Sequence, residues 1–333
     1  GSKLRLRPHA KSHKCGEIAR RQLAMGAAGI CCQKVSEAEA MVEAGIRDVL
    51  VANEVIGEVK LRRLAELARH ARMAVCVDSD TGVEALQEAM RQAGSRINVL
   101  VEIDVGEGRA GVEPGEPAAR LAARIASCDN LSFEGLQAYR SLAQHAGRYD
   151  DRRQLARSLE QAVGSTRAEL LARNLPCRTV SGGGTGTWDI EAELGIITEL
   201  QAGSYVFMDA NYAKVENRNG GVSGDFAISL FVLTTATSTH GPSRGMLDAG
   251  RRAVCVAAGL PRFADVSQLA YVGADDEHGR VRGENGHALV LGNKYRLIPS
   301  NCDSTVNLHD WMVAIRHGRV EAVWPVEGRG ACA

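Results

Sequence analysis

The chain has 333 residues, of which 40 are Lys or Arg and 40 are Asp or Glu, so its formal net charge at pH 7 is zero. This balance gives no electrostatic reason to expect a nucleic acid or an anionic membrane as a partner. No apolar run approaches the roughly 18 residues of a membrane-spanning helix, and no signal-peptide pattern is present. Nine cysteines without metal-type spacing favour reduced thiols and a cytoplasmic location.

Up to about residue 210, short β-type runs alternate with amphipathic helical segments such as 61–71 and 117–127. Several runs are continuously apolar, which is typical of parallel strands covered on both faces. Eight strands are predicted, at 4–11, 29–34, 48–54, 74–79, 97–106, 133–140, 178–184 and 199–209. We therefore predict a (β/α)8 barrel of the TIM type over residues 1–212, with a doubly wound open sheet as the alternative.

Beyond residue 212 the pattern changes to short β-type runs separated by Gly, Asn, Asp and Pro, with little helical periodicity. These runs lie at 227–235, 244–248, 253–257, 269–272, 288–291, 294–298, 311–316 and 319–324. The pattern predicts a mostly antiparallel β domain over residues 213–333, reached through a junction loop at 217–224.

A basic segment follows the first predicted strand and reads Arg7-Pro8-His9-Ala10-Lys11-Ser12-His13-Lys14-Cys15. The carboxyl end of a barrel strand faces the active site. A lysine surrounded by other cations at such a place can act as a neutral amine that forms a Schiff base. Taken alone, the segment favours a solvated basic loop, because Lys- and Arg-rich loops are usually solvated.

A glycine-rich segment ends the seventh predicted strand, at 181–187, and a second Gly-Ser segment, 202–205, lies in the eighth. Barrel enzymes often bind phosphate at these two loops, where backbone N–H groups and hydroxyls act as donors. The spacing is that of neither a P-loop nor a dinucleotide fingerprint. Tight turns are the alternative explanation of the glycines.

Three further polar side chains follow predicted strands five and six. Arg109 lies between glycines after the fifth strand, where it can contact an anionic group of a ligand. Tyr139 ends the sixth strand, and His145, which follows it, is a candidate general base. A loop cation and a surface histidine are the alternatives.

These segments, taken together, resemble one family. The shared motifs are the lysine segment 7–15, Gly-Ile-Cys-Cys-Gln-Lys-Val-Ser-Glu-Ala-Glu (29–39), Gly-Leu-Gln-Ala-Tyr (135–139), Ser-Gly-Gly-Gly-Thr-Gly (181–186), Glu-Leu-Gln-Ala-Gly-Ser-Tyr (199–205), Asp-Glu-His-Gly (276–279) and Asn-Leu-His-Asp (307–310). They resemble the D-threonine aldolase family, which also includes D-3-hydroxyaspartate aldolases and D-serine dehydratase-like enzymes. The resemblance implies the alanine-racemase fold type, a barrel that carries pyridoxal 5'-phosphate plus a β domain, and a homodimer.

The resemblance also implies roles for individual residues. Lys11 corresponds to the lysine that forms the Schiff base with pyridoxal phosphate. The other residues implied to bind this cofactor are Gln33, Arg109, Tyr139, Thr185, Gly186, Gly203, Ser204 and Tyr205. Family members bind a divalent cation through a His-x-Asp or His-x-Cys motif in the β domain, assisted by a histidine that matches His145.

This sequence departs from the family pattern at the metal motif. Asn301 stands where the family has its ligating histidine, two residues before Asp303. An amide and a carboxylate can still hold Mg²⁺ or Mn²⁺, which favour oxygen ligands. Arg140 also replaces the residue usual after the tyrosine, and it could recognise a substrate carboxylate or point outward. Relatives usually carry a longer segment before the lysine strand, and here that segment is either absent or not included in this sequence.

The predicted function is a pyridoxal-phosphate-dependent aldolase, a lyase that cleaves a D-3-hydroxy amino acid to glycine and an aldehyde. With Asn301 at the metal motif, β-elimination, racemisation and aldehyde or one-carbon transfer to the α-carbon are the alternatives. A third hypothesis is a non-catalytic cofactor-carrying protein, like the barrel-only relatives of this fold. The β domain argues against that hypothesis, because those relatives lack one.

Overall fold

The computed structural model describes residues 4–222 and 224–333, which form two compact units. The first unit ends at Gly203 and includes the C-terminal residues Gly330–Ala333, and the second covers Ser204–Arg329. The domain boundary predicted after residue 212 falls inside the second unit, before its first strand. No helix among the described residues is long and apolar enough to cross a membrane.

The first unit is built on eight parallel strands. They are β1 (Arg5–Leu6), β2 (Ile30–Cys32), β3 (Asp48–Glu54), β4 (Arg72–Val77), β5 (Ile97–Glu102), β6 (Leu131–Ala138), β7 (Thr179–Gly182) and β8 (Glu199–Leu200). Each strand from β2 to β8 pairs with its neighbour in sequence, and β1 pairs with β8. A parallel bridge between His9 and Cys31 joins the β1 and β2 segments. Pairing of the first strand with the last confirms the barrel, because a doubly wound open sheet has no such pair.

Helices follow the strands of the barrel in the usual alternation. They are α1 (Gly16–Ala24), α2 (Val35–Glu43), α3 (Glu58–His70), α4 (Asp80–Ala93), α5 (Glu116–Ala126), α6 (Ser141–His145), α7 (Tyr149–Ala172) and α8 (Trp188–Leu194). In α4, Ser79 caps the first turn by accepting from the N–H of Gly82 at 3.3 Å, and Gly94 ends the helix in the left-handed conformation. Its buried face of Val83, Leu86 and Met90 recurs at helical spacing.

The barrel interior is closed by small and apolar side chains. Cys31, Leu50, Ala52, Cys76 and Leu100 form one buried cluster from four consecutive strands. Because successive side chains of a strand point to opposite faces, the remaining apolar residues of each run face the helices. The interior is therefore packed, and functional groups lie at its carboxyl end.

The second unit is mostly antiparallel, which confirms the predicted class of the β domain. Its six-stranded sheet has the order β11 (Arg262–Phe263), β14 (Lys294–Ile298), β9 (Val232–Thr239), β10 (Gly245–Leu247), β13 (Gly279–Gly283) and β12 (Leu269–Ala274). A separate hairpin consists of β15 (Trp311–Arg316) and β16 (Arg319–Pro325), and one short helix, α9 (Cys302–Val306), precedes it.

Two predicted strands of this unit are wrong. Residues 253–257 form a turn, in which the N–H groups of Ala253 and Val254 both donate to Gly250 O at 3.0 Å, and Val254 is fully buried. Residues 288–291 are irregular, and the N–H of Val290 donates to the hydroxyl of Tyr295 at 3.0 Å. In both cases the apolar run is real, but these backbone donors bond to turn carbonyls or side chains instead of to a neighbouring strand.

Candidate active site

Lys11 lies in a short 3-10 helix, Ala10–Ser12, immediately after the β1 segment. The side chain of His9 caps this turn, with Nδ1 accepting from the N–H of Lys11 at 3.4 Å. Burial, together with the positive charge of Lys11, holds the pKa of His9 well below its usual range. His9 is therefore a neutral imidazole that can accept this hydrogen bond, and it holds the lysine loop in place.

The structure separates the two lysines of the basic segment. The Nζ of Lys14 is buried and makes a salt bridge with Oε1 of Glu37 at 2.8 Å. Glu37 also accepts from the N–H of Gln33 at 2.7 Å, so the carboxylate is anchored from two sides. Lys14 thus contributes to the wall of the barrel, whereas Lys11 is half-buried at the strand end.

Gln33 and Gly203 lie next to the lysine loop. The amide of Gln33 donates to Ala52 O at 3.3 Å and also hydrogen-bonds His9. A Cβ built on Gly203 would lie 2.6 Å from Oγ of Ser12 and 2.9 Å from His9 O. Residue 203 must therefore be glycine for the two backbones to approach, so a side chain here would displace the Lys11 loop.

Arg109 and Tyr139 come together from neighbouring strand ends. The guanidinium carbon of Arg109 lies 5.5 Å from the centroid of the Tyr139 ring, which is a cation–π contact. The neighbouring Arg140 takes a different direction, because its Nη1 donates to Val105 O at 2.7 Å. Arg140 therefore braces the loop that carries Arg109.

The glycine-rich loop after β7 is buried and tied to α6. The side-chain amide of Gln144 accepts from the N–H of Gly186 at 3.0 Å and donates to Oγ1 of Thr187 at 2.9 Å. The buried Arg152 donates from Nε to Gly186 O at 2.9 Å. Thr185 and Gly186 are thus held in a fixed loop, while His145 is exposed at the end of α6.

The donor set of this loop suits a phosphate. The loop carries the hydroxyls of Ser181, Thr185 and Thr187 and no charged side chain. Oγ of Ser181 donates to Oε1 of Glu199 at 2.9 Å, and the N–H of Gly186 is paired with Gln144. These donors are uncharged and fixed before binding, as they are in phosphate sites after the seventh strand of barrels.

Several polar residues near the strand ends were not predicted from the sequence. Gln201 donates to Oε1 of Gln137 at 2.7 Å and to Oγ of Ser181 at 2.8 Å, which links β6, β7 and the end of β8. Glu54 and Glu102 are the last residues of β3 and β5. The signal that would have found them is a polar residue that ends an apolar strand run.

The remaining predicted residues belong to the second unit. Ser204 and Tyr205 form a 3-10 turn at its start, and Tyr205 contacts the ring of Phe226 edge to face at 5.7 Å. Asn301 caps α9, with Oδ1 accepting from the N–H of Ser304 at 2.9 Å, and Oδ1 of Asp303 accepts from the thiol of Cys302 at 3.2 Å. Within residues 4–222 and 224–333, no group of three or more His, Cys, Asp or Glu side chains is arranged to hold a metal ion.

The fold and the lysine at the end of β1 define a class of barrel enzyme, and comparisons with known proteins identify the family. The family model "Alanine racemase, N-terminal domain" matches residues 5–211, and the model "Putative serine dehydratase domain" matches residues 229–315.

Two curated relatives and one solved structure are similar along nearly the whole chain. A D-threonine aldolase of an Arthrobacter species is 46% identical over 98% of this chain and 85% of its own. A 3-hydroxy-D-aspartate aldolase of Paracoccus denitrificans is 41% identical with the same coverage. The crystal structure of D-threonine aldolase from Filomicrobium marinum superposes with a TM-score of 0.96 at 45% identity, over 99% of this chain and 89% of that one. The chain belongs to this family of pyridoxal-phosphate-dependent lyases with the alanine-racemase fold.

Proposed function

We propose that the protein is an aldolase that cleaves D-3-hydroxy amino acids to glycine and an aldehyde. The observation that carries the proposal is the environment of Lys11, a half-buried lysine at a barrel strand end whose neighbour Lys14 is engaged by Glu37. The similarity to two aldolases over 98% of the chain supports the same reaction.

Different residues of the first unit bind different parts of the cofactor. Lys11 holds the cofactor through its amine, with Gln33 beside the lysine loop. Arg109 and Tyr139, which follow the neighbouring strands β5 and β6, bind and orient the cofactor ring. Bound pyridoxal phosphate supplies an electron sink for the bond that breaks at the substrate α-carbon.

Uncharged hydrogen-bond donors bind the phosphate group of the cofactor. Thr185 and Gly186 contribute from the loop that Gln144 holds, and Gly203, Ser204 and Tyr205 contribute from the segment after β8. Because these donors are fixed in advance, they orient the ring as well as bind it. The orientation in which these residues would hold the substrate decides which bond at its α-carbon breaks.

His145 is the proposed base that accepts the proton of the substrate β-hydroxyl. An imidazole suits this step because its ordinary pKa lies near neutral pH. Removing that proton lets the Cα–Cβ bond break, so that the β-carbon leaves as an aldehyde. A proton is then returned to Cα, which gives glycine.

The donor set at Asn301 and Asp303 does not fit a tight transition-metal site, because the Asn301 oxygen already caps α9. We propose that a divalent cation such as Mg²⁺ or Mn²⁺ binds here only weakly and through oxygen ligands. No step of the reaction is assigned to it. The homodimer and the cytoplasmic location also stand as proposals, supported by the family resemblance and by the cysteine content.

The function is tested by incubating the protein, reconstituted with pyridoxal phosphate, with D-threonine, D-serine and D-3-hydroxyaspartate, with and without added Mn²⁺. We expect glycine together with an aldehyde from D-threonine and D-3-hydroxyaspartate. Release of ammonia and a keto acid as the main products would assign β-elimination instead. The L-isomers serve as matched controls, and we expect them to be left intact.

A further inference from the structure

Two glutamates meet at the carboxyl end of the barrel, next to Arg109 but outside the proposed reaction. Glu54 and Glu102 end β3 and β5, and between these strands lies β4. Glu102 is only 6% exposed, and its carboxyl group lies close enough to that of Glu54 for the two charges to interact. Two ionised carboxylates that face each other in a buried place repel, and a proton retained by one of them removes this repulsion.

The charged groups around Glu54 and Glu102 favour one negative charge on the pair rather than two. The guanidinium Nη2 of Arg109 lies 3.9 Å from Oε1 of Glu102. Asp78, which follows β4, adds a further negative charge on the same side. The thiol of Cys76 in β4 also faces the pair and is buried, and its pKa is raised well above the usual range by burial and by Glu102.

Burial is the main reason that the neutral form is favoured, and the like charges add to it. Desolvation, followed by the charge of Glu54, raises the pKa of Glu102 to about 8. Desolvation also raises the pKa of Glu54, and its oxygen Oε1 is buried without a hydrogen-bond partner among the described residues. Two carboxyl groups in this arrangement titrate as a pair and keep one proton at neutral pH.

We propose that Glu54 and Glu102 share one proton and, as a singly charged pair, position Arg109 against the ring of Tyr139. Arg109 is about half exposed, so its side chain needs a partner at each end to stay in one place. Glu102 provides the ionic contact and Tyr139 the aromatic face. Asp78 fixes the other end of the same loop, where its Oδ2 accepts from the N–H of Gly111 at 3.2 Å.

The shared proton is tested by infrared spectroscopy of the apoprotein labelled with ¹³C-glutamate. We expect the difference spectrum between wild type and Glu102→Gln at pH 7 to contain the C=O band of a protonated carboxyl. This band should disappear as the pH passes about 8. In Glu54→Gln the titration of Glu102 should move to lower pH, because the like charge is gone.

Two further variants keep the infrared assignment unambiguous. Glu113→Gln changes an exposed glutamate in the same part of the chain, and its difference spectrum should lack the C=O band seen with Glu102→Gln. Glu191→Gln identifies the separate band of Glu191, another buried glutamate with a raised pKa. If the difference spectra of Glu102→Gln and of Glu54→Gln both lack the C=O band of a protonated carboxyl, as that of Glu113→Gln should, the shared proton is excluded.

The positioning role is tested on Arg109 itself, by the ¹⁵N–H signals of its side chain in the apoprotein. We expect slow solvent exchange of these protons in wild type and in Glu54→Gln, which keeps one negative charge. The double variant Glu54→Gln/Glu102→Gln loses that charge, and we expect fast exchange. Equal exchange rates in all three proteins would overturn the positioning role.

The affinity for pyridoxal phosphate gives a third measurement, which rests on the proposed role of Arg109 at the cofactor. We expect the double variant to bind about fivefold more weakly, the loss typical of one partly exposed ion pair. The single variant Glu54→Gln should bind like wild type. The infrared and exchange measurements do not depend on the cofactor, so they would stand even if the proposed aldolase function were wrong. Conversely, the absence of a shared proton would not contradict the proposed function.

Discussion

Lys11 and Lys14 are three residues apart, yet the structure gives them different surroundings. Lys14 is paired with Glu37 inside the wall of the barrel, whereas Lys11 follows the strand end next to His9. Borohydride reduction of the reconstituted protein, followed by peptide mapping, should therefore place the pyridoxyl group on Lys11. Lys11→Ala should abolish the label. A label on Lys14 in the wild-type protein would contradict the assignment.

Glu191 offers a second measurement at the residue scale, through pH. It lies under the glycine-rich loop, where burial raises its pKa to about 7 although Thr187 hydrogen-bonds it. A glutamate whose folded-state pKa is raised stabilises the fold fully below its unfolded pKa of about 4.5, and this contribution is lost as the pH rises through 7. Between these limits the free energy of unfolding should fall by about 3 kcal/mol relative to Glu191→Gln.

Urea unfolding of both proteins at several pH values measures this difference. Glu193→Gln is the matched control, because Glu193 lies on the same helix but is exposed and pairs with Arg153. The control should follow the wild-type pH dependence. If Glu191→Gln and wild type ran parallel from pH 4.5 to 8, the carboxyl of Glu191 would be ionised throughout, and the stated burial effect would be wrong.

At the scale of the elements, hydrogen bonds connect α6 and the residues that follow it to two neighbouring loops. Arg152 donates to Gly186 O at 2.9 Å, to Ala146 O at 3.0 Å and to Gly147 O at 3.2 Å. At the other end of α6, the N–H of Ser141 donates to Oε2 of Glu107 at 3.1 Å. The glycine-rich loop, the helix that carries His145 and the loop that carries Arg109 are therefore linked mechanically.

Replacing Arg152 by methionine should break this link. The change leaves Gly186 O without its buried donor and removes two part-buried hydrogen bonds, to Ala146 O and Gly147 O. We expect a loss of about 3 kcal/mol in the free energy of unfolding. The affinity for pyridoxal phosphate should fall as well, because the loop that holds Gly186 is freed. Arg153→Met is the control, since Arg153 is a more exposed neighbour in an ion pair with Glu193 and should cost less than about 1 kcal/mol. Equal losses in the two variants would contradict the link.

The accuracy of the sequence interpretation varied with the element. The strand predicted at 48–54 is observed as Asp48–Glu54, because a long apolar run between two helices has few alternatives. The strand predicted at 199–209 ends at Leu200, since the close approach of Gly203 to the Lys11 loop bends the chain. Strand Gly279–Gly283 was missed because two arginines and two glycines hide its alternation.

Site residues could be predicted from the sequence where a short local segment carries the chemistry. They could not be predicted where the interacting residues are distant in sequence. Lys11 and the glycine-rich loop carry local signatures. The pairing of Glu54 with Glu102 depends on the barrel bringing β3 and β5 within reach across β4, which no local pattern contains. The same is true of Gln144, whose two hydrogen bonds reach a loop about forty residues away.

At the scale of the whole molecule, the question is what the second unit contributes to the reaction. Asn301 occupies the position of the family histidine and caps α9 through its side chain. Asn301→His should raise the affinity for Mn²⁺ and Zn²⁺, because imidazole is a stronger ligand than an amide for these ions. The same change should cost about 1 kcal/mol of stability through loss of the cap.

If the cation serves aldol cleavage, the Asn301→His protein should also cleave D-threonine faster in the presence of Mn²⁺, whereas the wild type should need the ion in large excess. Titration calorimetry measures the affinity, and the glycine released measures the rate. Adding Asp303→Ala to the Asn301→His protein removes the second ligand and should cancel both gains. A gain in affinity without a gain in rate would show that the cation of the second unit takes no part in the reaction. Tight, stoichiometric Zn²⁺ in the wild-type protein would instead mean that another residue replaces the histidine.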